Sequence, residues 1–248
     1  MQNIKSIGII PARYASSRFP GKPLVEILGK SMIQRVWERA QMATQLDEVF
    51  IATDDERIQQ HCLQFGAKVV LTNPNHQSGT DRCAEVLHKL KEEGLDIKYI
   101  INIQGDEPLI DPDQIDQLLQ RLKRENDEAL ASLYRLISPS EASNPNVVKV
   151  VLNRRQEALY FSRSVIPYPR NKEVKSYKKH IGMYAYTASV LQAISQLTPS
   201  ELEKFESLEQ LRWLEEGYTL HMIETQVETL GVDSPEDVQK IISQLQKS

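Results

Sequence analysis

The run Ile7-Gly8-Ile9-Ile10, followed at once by Pro11, constrains this chain most. Consecutive apolar residues with no polar alternation make a strand buried on both faces, as inside parallel sheets. Pro11 has no N–H to offer a neighbouring strand, so the ladder is expected to stop there. Mostly apolar stretches at 48–53, 67–71 and 99–103 read as further strands, the last of them buried. Between them, apolar residues return at helical spacing. Met32, Ile33, Val36 and Ala40 follow a Ser31/Gln34 capping pattern, and Ile58, Cys62 and Phe65 sit between Asp54, read as the N-cap, and Gly66. Cys83, Leu87 and Leu90 form a third such face; Ile115, Leu118, Leu119 and Leu122 form a fourth, after Asp111-Pro112.

Strands alternating with helices imply βα units with right-handed crossovers, hence an α/β fold: a mostly parallel central sheet with helices on both faces. Ligands of such sheets bind at the C-terminal ends of the strands. Three loops are expected at that edge: 11–23, 73–80 and 104–108. The second half changes character. Stretches 129–136, 147–152, 158–161 and 181–186 read as strands without long helices between them, which favours antiparallel pairing. Pro167, Pro169 and the basic run up to Lys179 read as a mobile loop, and helices are expected over 205–216 and 235–245. No repeat, low-complexity segment or linker interrupts the chain. The expectation is therefore one domain over 1–248, with a smaller lobe inserted at about 129–200.

The net charge of −4 argues against broad attraction to nucleic acid or to a membrane surface, so any anion site must be locally basic. The loop after Ile10 meets that condition. Arg13, Arg18 and Lys22 are its only charges, and the first acidic residue of the chain is Glu26. With Ser16 and Ser17 as donors and Gly21 allowing close backbone approach, the loop suits a phosphate-bearing ligand. The two cysteines, at apolar positions and without metal-site spacing, read as reduced core residues. With no apolar leader and no long apolar span, a cytoplasmic location without a membrane anchor is expected.

Asp106 follows a buried strand at the ligand edge, beside Gly105. It can hold Mg²⁺ next to phosphates, or it can cap the turn at Pro108. Asp233 is a candidate partner, since Ser234, Pro235 and Asp237 already explain a helix start; it can equally be an N-cap. Ser78-Gly79-Thr80 can present N–H groups to an anion or a base edge, or simply cap the next helix. GxxxxGK[ST], GxGxxG and GxSxG are all missing, so P-loop, dinucleotide-binding and hydrolase-elbow readings fall away.

Together the segments IIPARYASSRFPGKPL, ATDD, HQSGTDR, NIQGDEPLI, NPNVVKVV, ALYFSRSVIP, HIGMYAY, LEQLRWLEEG and GVDSPEDV, in that order, resemble the 3-deoxy-manno-octulosonate cytidylyltransferases. The resemblance implies a glycosyltransferase-A-like nucleotide-binding fold, with a homodimer formed through the second-half lobe. It also implies Mg²⁺-assisted transfer of CMP from CTP to the acidic sugar 3-deoxy-D-manno-octulosonate (Kdo) for lipopolysaccharide assembly. Arg13, Ser17, Arg18 and Lys22 would then grip the CTP phosphates, with Ala12, His76, Ser78, Gly79 and Thr80 bordering the cytidine. Asp106 and Asp233 would hold magnesium, and Arg13, Lys22 and Asp106 would be catalytic. Gln104, Arg163, His180, Tyr184, Glu209 and Gln210 would line the sugar site. A cytidylyltransferase for another acidic sugar, such as 8-amino-Kdo or a sialic acid, and a non-catalytic nucleotide-sugar-binding protein are the rival readings.

Overall fold

The first strand, β1 (Ser6–Ala12), is buried at every position but Pro11, as expected of a strand covered on both faces. The computed structural model in which it lies describes residues 5–15, 19–124, 129–170, 174–228 and 230–246. Ser17 and Arg18 lie outside the described residues. The chain divides into two units, Met1–Gln120 with Thr229–Ser248, and Arg121–Glu228.

In the first unit, β1 is followed by a short ribbon of β2 (Glu26–Ile27) and β3 (Lys30–Ser31), then α1 (Met32–Ala40), β4 (Glu48–Thr53), α2 (Glu56–Gln64), β5 (Lys68–Leu71), α3 (Gly79–Glu92), β6 (Tyr99–Asn102) and α4 (Pro112–Leu122). The strands pair in parallel in the order β5-β4-β1-β6.

Contrary to expectation, β1 does not stop at Pro11; it runs on through Pro11↔Ala52 and Ala12↔Thr53. Ile9 O accepts from Ile103 N, so the odd-numbered residues of β1 turn their peptide groups towards β6. Pairing with β6 ends at Ile9↔Asn102, so the missing N–H of Pro11 faces a side where no partner needs it. A second correction concerns α2, which is capped by Asp55, the acceptor of Arg57 N–H, and not by Asp54. Asp54 instead accepts from Arg82.

The second unit holds β7 (Leu130–Ile137), α5 (Pro139–Ala142), β8 (Lys149–Leu152), β9 (Ala158–Ser162), β10 (Tyr177–Thr187), α6 (Ala188–Ile194), α7 (Glu201–Glu206), α8 (Gln210–Glu215) and β11 (Leu220–Glu224). Antiparallel pairs β7/β10, β10/β8 and β8/β9 dominate, with β11 parallel to β7. The basic run expected to be loop up to Lys179 is strand from Tyr177 onward. Tyr177 is only 4% exposed and packs with Ile137 and Ala142, which fixes that end of β10. The single helix expected over 205–216 is two, α7 and α8, because Ser207 turns into the left-handed region at φ 52°.

The chain then returns to the first unit as α9 (Pro235–Leu245). Val238 and Ile241 pack with Ile27, Met32 and Val232, which draws the segment before α9 onto that core. Cys62 and Cys83 are buried thiols that are not joined in a disulfide. Among the described residues, no helix is long and apolar enough to cross a membrane.

Candidate active site

At the C-terminal ends of β1 and β6 the first unit opens a cleft of about 520 Å³. Ala12 and Arg13 leave β1 at its rim, and Lys22 reaches it from a short 3-10 turn over Lys22–Leu24. That turn is set by Gly21, whose φ of 71° suits glycine and whose N–H closes the loop on Tyr14 O at 2.9 Å. Arg57 stacks on the Tyr14 ring, 3.3 Å from its centroid, and so ties the loop to the start of α2.

Lys22 Nζ donates to Asp106 Oδ2 at 2.8 Å and to Val232 O at 2.7 Å, and lies 3.9 Å from Asp233 Oδ1. Three loops distant in sequence therefore converge on one ammonium. Val232 N–H donates to Asp106 O at 2.9 Å, so the loop before α9 is laid directly on the loop after β6. Asp237 closes the start of α9: its carboxylate accepts from Asp233 N–H and Ser234 N–H, leaving the Asp233 side chain for Lys22. Lys240, chiefly, holds the Asp237 carboxyl down at about 2. Gly105 keeps the floor open, since a Cβ there would stand 2.5 Å from Pro11 O.

The cleft thus gathers Ala12, Arg13, Lys22, Gly79, Gln104, Asp106 and Asp233 from the residues picked out in the sequence. His76, Ser78 and Thr80 do not line it. His76 Nε2 meets Glu85 Oε2 at 2.5 Å, Ser78 caps α3 in a reciprocal box with Asp81, and Thr80 is buried. Burial raises the Glu85 carboxyl, but hydrogen bonds from Lys89, Asn73 N–H and His76 outweigh it and hold the group at about 2. Sequence reading passed over Arg82, which lines the cleft while only 1% exposed. It donates to Asp54 Oδ2 at 2.8 Å and Thr72 Oγ1 at 2.6 Å, clamping the ends of β4 and β5 to α3. The signal was present as the Asp of ATDD and the Arg of HQSGTDR, separated by 28 positions.

The second unit sets His180 and Tyr184 in an aromatic cluster, with Glu209 close enough to act on the Tyr184 phenol. The His180 ring lies 4.9 Å from Phe161 and 5.4 Å from Tyr184, and Tyr184 meets Trp213 edge-on at 5.1 Å. Burial pushes the His180 imidazole down to about 3, so it is neutral near neutral pH. Burial, then the Glu209 carboxylate, raises the Tyr184 phenol well above its usual value. Gln210 is 3% exposed, and its Nε2 has no acceptor among the described residues. Arg163 is anchored on backbone, donating to Glu206 O at 2.7 Å and Pro145 O at 3.3 Å.

A mostly parallel α/β sheet whose strand ends carry a cationic loop and paired carboxylates defines a nucleotidyltransferase-type fold. The cytidylyltransferase family profile matches residues 7–226. The chain is 50% identical over 247 residues to the 3-deoxy-manno-octulosonate cytidylyltransferase of Cytophaga hutchinsonii, covering 96% of this chain and 97% of that one. It is 48% identical over 237 residues to the Escherichia coli protein of the same name, covering 96% and 94%. A solved CMP:2-keto-3-deoxy-manno-octonic acid synthetase complexed with CTP superposes with a TM-score of 0.92 at 48% identity, over 98% of this chain and 99% of that one. The chain belongs to the cytidylyltransferase family and, within it, to the 3-deoxy-manno-octulosonate cytidylyltransferases.

Proposed function

We propose that this chain transfers CMP from CTP to Kdo, giving CMP-Kdo and pyrophosphate for lipopolysaccharide biosynthesis. The observation that carries this reading is the convergence of Lys22, Asp106 and Asp233 in the strand-end cleft, in a chain so similar to a synthetase solved with CTP. On this reading Arg13 and Lys22, with Ser17 and Arg18 from the same loop, hold the triphosphate through charge-assisted hydrogen bonds. Ala12, Gly79 and the neighbouring His76, Ser78 and Thr80 border the cytidine. In the second unit, Gln210 offers the sugar an N–H group that has no acceptor among the described residues, and His180, Tyr184 and Glu209 serve the same ligand. Arg163 supplies further donors there, while in the first unit Gln104 lines the strand-end cleft.

The donor set of the cleft suits Mg²⁺: two carboxylates turned towards one cation, beside phosphate-binding side chains. Asp106 and Asp233 would hold the ion, which when bound neutralises phosphate charge and makes the attacking hydroxyl more acidic. The anomeric hydroxyl oxygen of Kdo forms the new bond to the α-phosphorus and releases its proton to solvent, while the bond to the bridging oxygen breaks and pyrophosphate leaves. Positioning of the reactants and neutralisation of their charge by Arg13 and Lys22 supply most of the rate. His180, neutral and half-buried, acts as a hydrogen-bonding group and not as a proton donor to the leaving group. The enzyme works on this reading as a cytoplasmic homodimer through its second unit, which exposes Leu159, Tyr168 and Phe205. Phosphorus NMR of the purified protein with CTP, Kdo and Mg²⁺ tests the reaction: a new phosphodiester resonance must rise with pyrophosphate.

A further inference from the structure

Across from β7, strand β10 carries two extra residues: Ile181 faces Leu133 and Tyr184 faces Ser132, so Gly182 and Met183 form a bulge. Ser132 is fully buried beneath it. Its Oγ lies 3.0 Å from Ile181 O, 2.9 Å from Met183 O and 2.9 Å from His180 Nε2. A hydroxyl has one proton to give and two lone pairs. Two of its three neighbours are carbonyl oxygens, which can only accept. The proton therefore goes to the carbonyls and a lone pair faces the imidazole. The opposite arrangement would set a hydroxyl lone pair against two buried carbonyls and leave both without this donor. His180 Nε2 is thus a donor and carries the ring proton. No described residue bonds Nδ1, which is left with a free lone pair.

We propose that Ser132 is a positioning residue that fixes the Nε2–H tautomer of His180, so that Nδ1 accepts a hydrogen bond from a hydroxyl of the acidic sugar. This deepens the proposed function and rests on the placement of His180 in the sugar site. A lone pair at Nδ1 repels the sugar carboxylate and favours a hydroxyl, so the tautomer orients the sugar as well as binding it.

Long-range proton–nitrogen NMR of the labelled, ligand-free protein reads the tautomer directly, with His180 identified by the signals lost in His180→Phe. The wild type is expected as the Nε2–H form. Ser132→Ala is expected to move population to Nδ1–H and to raise KM for Kdo about tenfold with KM for CTP unchanged. Ser132→Thr, which keeps the hydroxyl, is expected to restore both. A wild-type Nδ1–H or imidazolium form overturns the proposal by itself, even if the alanine variant does not fold. An unchanged tautomer in folded Ser132→Ala overturns it too. If the tautomer moves but neither Ser132→Ala nor His180→Phe alters KM for Kdo, the assignment of His180 to the sugar is what fails.

Discussion

Lys22 Nζ donates to Asp106 Oδ2 across 2.8 Å, joining side chains 84 positions apart in the sequence. The same ammonium stands 3.9 Å from Asp233 Oδ1, so two carboxylates and one cation share a single point at the strand ends. Lys22→Ala is expected to remove a charge-assisted contact to the triphosphate and lower kcat/KM by about 2 kcal/mol or more, roughly thirtyfold. Steady-state kinetics check this, and wild-type kcat/KM in the variant would remove Lys22 from phosphate binding.

Asp106→Asn keeps the shape of the side chain and removes its charge. Turnover that depends on Mg²⁺ should fall far more than Tm, and Mn²⁺ binding followed by electron paramagnetic resonance should weaken. A collapsed Tm with normal activity per folded molecule would instead make Asp106 a structural residue.

Gly105 has no room for a side chain, because its Cβ would meet backbone, Pro11 O, at 2.5 Å. Gly105→Ala is expected to cost about 1–3 kcal/mol of stability, as overpacking does, and to displace Asp106. Denaturant titration and kcat/KM are the readouts. A variant with the wild-type midpoint and rate would show that the Gln104–Asp106 loop yields freely.

Glu85, on α3, ties the preceding loop to the helix by accepting from Asn73 N–H and meeting His76, and it pairs with Lys89 one turn on. Its folded carboxyl titrates at about 2 against an ordinary 4.5, so its stabilisation is complete above about pH 4.5 and is lost as pH falls towards 2. Glu85→Gln should therefore lower Tm near neutral pH, with the gap to wild type closing in acid. A gap that stays constant with pH would assign the effect to packing and not to charge.

Much of the first unit was legible in the sequence because β1, β4 and β6 are built on apolar runs and the helices carry Ser, Asp and Gly punctuation. Strand β4 was expected over 48–53 and lies there. Pro11 misled because a local rule about ladders depends on which neighbour the peptide faces, and that is decided by where β6 ends. The role of Asp54 was hidden because its partner Arg82 comes from a different βα unit. In the second unit, Ser207 broke a helix that periodicity alone would have continued, and Tyr177 anchored a strand where basic residues suggested a loop. Ser132 carries no motif at all. Its environment is a bulge, which appears only when two strands are set in register.

The most direct measurement is pyrophosphate release by the purified protein with CTP and Mg²⁺, offering Kdo, 8-amino-Kdo and N-acetylneuraminate in parallel beside a control without sugar. CMP transfer to Kdo requires rapid release with Kdo and none in the control. Release with another sugar in preference to Kdo would contradict the substrate. No release with any of them, despite measurable CTP binding, would contradict the enzyme itself.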